Sequence, residues 1–386
     1  MAPRSAQRSL ICFSIINWDE VWEGPQEISS QFAAAGWRVL FVETIGLRTL
    51  RFSWSDAKRV AGRLQYVIAR PEQRTEIPVG LTVQTPFVLP GQQSTWMRQQ
   101  SRTILVQQIR RQLAKRDMNN PVVWTYNPSA LIQEVCSELS PRLTVYCCVH
   151  DFPNISTSHS YLAEDERKLL TSADMVFVLS RQLLAKKRAI RADANLLPQG
   201  ANLRHYVNSE RRATEISSLP YPIIGYIGTI HEWVDQDLLK FAARERPDWT
   251  FVLIGPERVS TAKLRELRNI RLLSQRQHDL LPDYVATFDV GIIPYITSEF
   301  ARTIRPNKVL EYLVMGKPVV STFLPELDSF GQHISTPGTP GEFIAAIDRA
   351  LTNDSSDKRQ VRRELALEHS LNRGFAEIEQ ALLARL

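Results

Sequence analysis

The residues best suited to chemistry lie in one short stretch, TIRPNKVLEYLVMGKPVVST, residues 303–322. It sets Arg305, Pro306, Asn307 and Lys308 together and places Glu311 three residues past Lys308, on nearly the same face of a helix. Backbone N–H groups and the dipole at a helix start favour an anion, which Asn307, Lys308 and Val309 could meet through their main chain. Lys308 would add a cation and Arg305 a two-pronged donor. The carboxylate of Glu311 can accept two hydroxyl hydrogen bonds. The elements that would hold these groups are legible. Pro306 suits the first helical position, Val309, Leu310, Leu313 and Val314 recur at helical spacing, and Gly316 suits a left-handed cap. Residues 317–322 read as the strand that follows. The same letters also fit an ordinary helix–strand unit with no ligand.

A chain of 386 residues predicts two domains. No run of eighteen apolar residues is present, so nothing is expected to span a bilayer. The apolar stretch from Leu10 to Ile16 leads into Asn17, Trp18, Asp19 and Glu20 without a small-residue cleavage site, and reads as a first strand in place of a secretory signal. Cys12, Cys136, Cys147 and Cys148 lack metal-ligand spacing and fit a reducing cytoplasm. The net charge of +6 is uneven: residues 1–200 hold 24 Lys and Arg against 17 Asp and Glu, and the remainder 23 against 24. Residues 96–116 contain six basic residues and no acid. Trp96, Met97, Ile104, Leu105, Val106, Ile109 and Leu113 could form one helical face there, suited either to an anionic membrane surface or to an ordinary surface helix. No aromatic-interleaved basic motif supports nucleic-acid binding.

Strand-like and helix-like runs alternate in both halves. LICFSIINW, WRVLFVE, PVVWTYNP, LTVYCCVHD and ADMVFVLS read as strands of the first, with a helix at GPQEISSQFAAAG closed by Gly36 and another at 161–172. YPIIGYIGT, WTFVLIGP, NIRLLS, FDVGIIPY and KPVVST read as strands of the second. Such alternation predicts parallel sheets covered by helices, with ligands beyond the carboxyl ends of the strands, where Asn17, Asn127, His150, Asp151 and Ser180 fall. Periodicity lapses over HYVNSERRATEISSLP, which reads as a linker. The expected division is 1–204, a linker at 205–220, a second domain at 221–356, and charged helices at 357–386.

In order, PQGANLRHY, GYIGTI, NIRLLSQRQHDLLPDYVATFDVGIIPY and PNKVLEYLVMGKPVVST resemble the large retaining group 1 family of GT-B glycosyltransferases, chiefly over residues 195–330. That resemblance implies an α/β fold of two Rossmann-like doubly wound domains facing a cleft, with a C-terminal helix crossing back to the first. It implies transfer of a sugar from a nucleotide-diphosphate sugar to a hydroxyl of a glycan or polyprenyl-linked acceptor, with retention, no metal and no cofactor. By this similarity the helix start meets the diphosphate and Glu311 holds the ribose. Gly225, Gly228, Thr229 and Gly255 would bring bare backbone near the donor, and Gln277 and His278 would lie near the base. His150 would face the donor sugar, with Asp151 orienting it or acting in its place, and Asn17, Gly24 and Asn127 would lie on the acceptor side. The implied site is cytoplasmic, at the inner face of the plasma membrane if 96–116 contacts lipid.

The chain departs from that pattern twice. Thr303 stands where the family has a sugar-contacting glutamate, for which Glu299 is the nearby substitute. The family's Arg and Lys after the GxxGT loop are absent from IHEWVDQDLL, leaving His231 there and shifting phosphate neutralisation to Arg302, Arg305 and Lys308. Asp235 and Asp237 are expected to serve a helix start and not a metal. A nucleotide-sugar epimerase of the same fold, and a non-catalytic nucleotide- or membrane-binding protein, are the rival readings.

Overall fold

The computed structural model describes residues 8–45, 76–89, 94–152, 160–198, 200–207, 209, 211–369 and 371–386. The chain forms two compact units, one of residues 1–197 with 378–386 and the other of residues 198–377.

The first unit is built on a seven-stranded parallel sheet in the order β3-β2-β1-β4-β5-β6-β7. The strands are β1 (Ser9–Phe13), β2 (Arg38–Val42), β3 (Leu81–Gln84), β4 (Val122–Thr125), β5 (Leu143–Cys148), β6 (Met175–Val178) and β7 (Asn195–Leu196). Its helices include α1 (Gly24–Ala34), α2 (Thr95–Lys115), α3 (Ala130–Leu139), α4 (Ser160–Ser172) and α5 (Arg181–Arg188). β1 and β4 are buried along their whole length, which is why they read as unbroken apolar runs: helices cover both faces. β3 was not anticipated, since Thr82 and Gln84 dilute its apolar pattern at a sheet edge.

The basic helix α2 corrects the membrane expectation for its apolar face. Leu105, Val106 and Ile109 are buried in the core of the first unit, with Leu113 packed against it. Arg98 pairs with Glu134 of α3 at 2.8 Å, and Arg102 and Arg110 both pair with Glu138, at 3.3 and 3.8 Å. Only Trp96 at its start, 60% exposed, remains a large apolar group facing solvent. The acids that answer this charge lie 28 to 36 residues downstream, out of reach of a local sequence reading.

Behind β5 lies a buried polar network. Lys187 Nζ pairs with Glu166 Oε2 at 2.7 Å, and the other carboxylate oxygen accepts from Tyr146 Oη at 2.8 Å and Cys148 Sγ at 3.2 Å. Two buried charges are tolerated here because each is paired and hydrogen-bonded.

The second unit is built on a five-stranded parallel sheet in the order β10-β9-β8-β11-β12. Its strands are β8 (Ile223–Ile227), β9 (Thr250–Ile254), β10 (Ile270–Leu273), β11 (Val290–Ile293) and β12 (Val319–Ser321). Short helices α6 (Arg204–Val207) and α7 (Thr214–Ser217) precede the sheet. They are followed in the chain by α8 (Gln236–Glu245), α9 (Ala262–Arg265), α10 (Leu281–Thr287), α11 (Lys308–Val314), α12 (Pro340–Thr352), α13 (Ser356–Glu368) and α14 (Leu371–Leu383). β8 lies between β9 and β11, so strand order reverses between β8 and β11, the switch point where open α/β sheets bind ligands.

Two expected boundaries move. The described part of 205–220 packs into the second unit: Tyr206, Ala213 and Ile216 join its core, and Ala213 N–H donates to Asp283 O at 3.0 Å. α13 also belongs there, because Arg362 donates to Gly316 O through Nε at 3.0 Å and Nη2 at 2.7 Å. Only 378–386 returns to the first unit, where Glu379 accepts from Trp37 Nε1 at 2.7 Å and pairs with Arg8 at 3.3 Å.

Candidate functional site

α11 begins two residues later than its sequence suggested. Lys308, not Pro306, is the first helical residue, flanked by Asn307: Asn307 O accepts from Leu310 N at 2.9 Å, and Ile304 is extended after a 3-10 turn at Ala301–Thr303. Lys308 is thus the first residue of the helix, and the N–H groups of Lys308 and Val309 have no acceptor within it. The far end closes as predicted. Gly316 takes φ +72°, its N–H donates to Leu313 O at 2.8 Å, and Lys317 N–H reaches Tyr312 O at 3.0 Å, a Schellman motif.

At the start of α11 the Lys308 side chain reaches the switch point. Its Nζ donates to Tyr295 Oη at 2.6 Å and lies 4.8 and 5.0 Å from the centroids of the Tyr226 and Tyr295 rings. Gly228 follows β8 with φ +128°, and a Cβ built on it would stand 3.0 Å from that ammonium. The cation therefore abuts bare backbone, and two of its three N–H donors remain beyond the bond to Tyr295. Tyr226 Oη in turn donates to Thr229 O at 2.9 Å, and Ile227 N–H donates to Tyr312 Oη at 2.9 Å. Burial first, then neighbouring Tyr295 and Tyr312, pushes the Tyr226 hydroxyl well above its usual range, so it stays an O–H donor at neutral pH.

One turn along, half-buried Glu311 faces the hydroxyl of Tyr206, whose ionisation is opposed by burial and then by that carboxylate. The His278 ring stands 6.2 Å from Tyr206 and 5.9 Å from His205. Burial, aided by His205 and opposed by Asp279, lowers the His278 pKa to about 4, so the ring is neutral at pH 7. Sequence reasoning missed Tyr206 and His205, although both sit in NLRHY, because it treated the residues after Arg204 as a linker. It also missed Arg276, which grips Glu215 at 2.7 and 2.9 Å and Tyr284 Oη at 2.9 Å and so anchors the segment bearing Gln277 and His278.

Several residues expected near the donor have contacts within the fold. A Cβ on Gly225 would lie 2.1 Å from Phe288 Cδ2, and one on Gly255 2.2 Å from Gly228 O. Both glycines allow protein groups to approach closely. Gln277 is exposed and flanks the 3-10 turn His278–Leu280. Glu299 pairs with exposed Arg302 at 3.8 Å, and Thr303 Oγ1 donates to Phe300 O at 2.7 Å. Arg305 is only 7% exposed, Asn307 is exposed, and the Val309 side chain is core. Asp235 caps α8 by accepting from Leu238 N at 2.8 Å, and Asp237 pairs with Lys263 at 2.6 Å.

In the first unit, Asp151 is buried and pairs with Lys186 at 2.7 Å, while the His150 ring packs edge-on to Phe152 at 5.8 Å. Asn17 Nδ2 donates to Glu20 Oε1 at 3.2 Å, and Gly24 opens α1 with nothing near its missing Cβ. Asn127 is buried and turns the chain after β4, its Oδ1 accepting from Ser129 N at 2.9 Å. Glu43, which sequence reasoning passed over, holds the loop after β1 by accepting from Trp18 N at 3.0 Å and Thr85 Oγ1 at 2.6 Å.

Residues 221–353, which contain the Lys308 and Gly228 cradle, match the family described as Glycosyl transferases group 1. The second unit carries a group 1 glycosyltransferase domain. Over 254 residues the chain is 28% identical to TuaH of Bacillus subtilis, named for glycosyl transfer in teichuronic acid biosynthesis. That match covers 58% of this chain and 62% of the length of that relative. Among solved structures, sucrose-phosphate synthase of Thermosynechococcus elongatus aligns with a TM-score of 0.70 at 16% identity, over 98% of this chain and 99% of that one. HepE of Anabaena, solved in complex with UDP-glucose, aligns at 0.67 and 14% identity, over 97% and 99%. The chain has the GT-B fold of two parallel-sheet units, and the group 1 domain holds the cradle.

Proposed function

We propose that this chain transfers a glycosyl group from a nucleotide-diphosphate sugar to a hydroxyl of a glycan or lipid-linked acceptor. The observation that carries the reading is the Lys308 ammonium, fixed by Tyr226 and Tyr295 against the open backbone of Gly228 at the switch point of the second sheet. A diphosphate placed there would meet that cation and the N–H groups of Lys308 and Val309. Glu311, one turn along, is spaced to accept from ribose hydroxyls. Fixed donors aimed at a leaving group supply a large share of transition-state stabilisation, and losing one costs on the order of a hundredfold in rate.

In this reading the departing diphosphate accepts the proton of the acceptor hydroxyl on the face it leaves, as the hydroxyl oxygen forms the new bond to the anomeric carbon. The configuration is then retained and no enzyme nucleophile is needed. Lys308 meets the leaving charge without a divalent ion, and Asp235 and Asp237 already serve a helix cap and an ion pair. HepE, of like fold, binds UDP-glucose, so uridine donors come first in the test.

The test is calorimetric titration of the full chain with UDP, GDP, CDP, dTDP and ADP in EDTA, followed by NMR of the product anomer once a sugar donor is found. At least one diphosphate should bind, and Lys308→Ala should weaken it about tenfold or more, with Glu311→Ala weakening it comparably. Affinity unchanged by both substitutions for every nucleotide would remove the reading, and an inverted anomer would remove retention.

A further inference from the structure

α6 is a single turn. Asn202 Oδ1 opens it by accepting from Arg204 N at 3.2 Å, and Tyr206 N–H and Val207 N–H donate to Leu203 O at 3.0 and 2.9 Å. Leu203 and Tyr206, three residues apart, share one face and enter the core of the second unit, where the turn packs against α11. The Tyr206 side chain is 1% exposed, its ring lies 6.2 Å from that of His278 with planes 74° apart, and among the described residues its hydroxyl has no hydrogen-bond partner. A phenylalanine would fill the same space without leaving a buried polar group unsatisfied, which lowers stability. Such an orphan calls for a reason. Two groups act electrostatically on the hydroxyl, the Glu311 carboxylate first and Tyr312 second. Tyr312 Oη already accepts from Ile227 N–H at 2.9 Å. A carboxylate offers about four acceptor positions, enough for a protein donor and two sugar hydroxyls together.

We propose that Tyr206 is a positioning residue for the nucleotide: its O–H donates to the Glu311 carboxylate when ribose hydroxyls dock there, and so fixes the rotamer in which that carboxylate receives them. This rests on the ribose role given to Glu311 above. A glutamate on a helix surface turns through several rotamers, and a charge-assisted bond from a buried, immobile ring selects one of them and lowers the ordering cost of binding. Because the hydroxyl gains its partner only in the complex, it adds to the affinity for a ribose and not to that for a sugar without the two hydroxyls. The rival role for Tyr206 is core packing alone, which is indifferent to the sugar.

The test titrates the full chain calorimetrically with UDP, GDP, CDP and ADP, each against its 2′,3′-dideoxy counterpart, for wild type, Tyr206→Phe, Glu311→Ala and the double variant, and records the melting temperature of each without ligand. Phenylalanine keeps the ring and removes only the donor. Tyr206→Phe should melt at or above wild type, reduce the preference for ribose over dideoxyribose by about fivefold to tenfold, and leave dideoxy affinity within about twofold. In the Glu311→Ala background the same substitution should change nothing further, because the hydroxyl acts through that carboxylate. Tyr206→Phe with an unchanged preference, with equal losses for both sugars, or with a lower melting temperature would overturn this inference; if Glu311→Ala meanwhile abolishes the preference, the donor site stands. A wild type that binds both sugar forms equally, or none of the diphosphates, removes the ribose role of Glu311 and this inference with it.

Discussion

Lys308 illustrates how far a single residue can be read from sequence. The letters PNKVLEY put a cation near a helix start, but not the two tyrosines that hold it, because Tyr226 lies on β8, 82 residues away, and Tyr295 just past β11, 13 residues away. Gly225, Gly228 and Gly255 look alike as letters; only packing separates the one beside the ammonium from the two that admit Phe288 or a neighbouring carbonyl. His278 gives a further prediction at this scale. Its folded pKa of about 4 lies below the ordinary 6.5. Between those values the unfolded chain binds a proton that the folded chain does not, so this histidine lowers stability as pH falls from about 6.5 towards 4. His205, Asp279 and Tyr206 face the ring and are unchanged by His278→Asn. Urea midpoints followed through this window should fall less steeply for that variant than for wild type; parallel curves would contradict the assignment.

Elements fare better than contacts. Apart from β3 and β7 of the first sheet, the strands were legible because buried parallel strands read as continuous apolar runs, and Gly316 marked the end of α11 because that cap needs a positive φ. The start of α11 was misplaced since Pro306 fits both the first helical position and the extended residue before a cap. α2 was read as amphipathic, correctly, but the partner of its apolar face is the sheet of its own unit. Behind β5, the carboxylate on α4 and the ammonium on α5 form one buried pair, though neither helix announces it. Glu166→Ala should destabilise the first unit by about 3–5 kcal/mol, because it strands the Lys187 charge, whereas Glu166→Met with Lys187→Met should cost far less. Equal chemical-denaturation losses for the two would show that the charge imbalance is not the cause.

On the scale of the whole molecule, the two-domain expectation held while its boundaries did not. Loss of periodicity over 205–220 reflected short helices docked on the second unit, a packing that leaves no repeating pattern in the letters. The return of 378–386 hinges on Glu379, which engages Trp37 and Arg8. Glu379→Ala should lower the unfolding temperature of the first unit by a few degrees, from the loss of a charged hydrogen bond worth about 1.5–3 kcal/mol, and leave UDP affinity unchanged. Calorimetric melting with and without UDP reads both effects, and a loss of nucleotide binding would contradict the separation.

Because residues 378–386 complete the unit in which the chain starts, residues 198–377 are in topological terms an insertion within it. A ribosome therefore delivers every residue of the inserted unit before it delivers the last piece of the enclosing one. The contacts of Glu379 with Trp37 and Arg8 therefore cannot form until every residue of the inserted unit has been made.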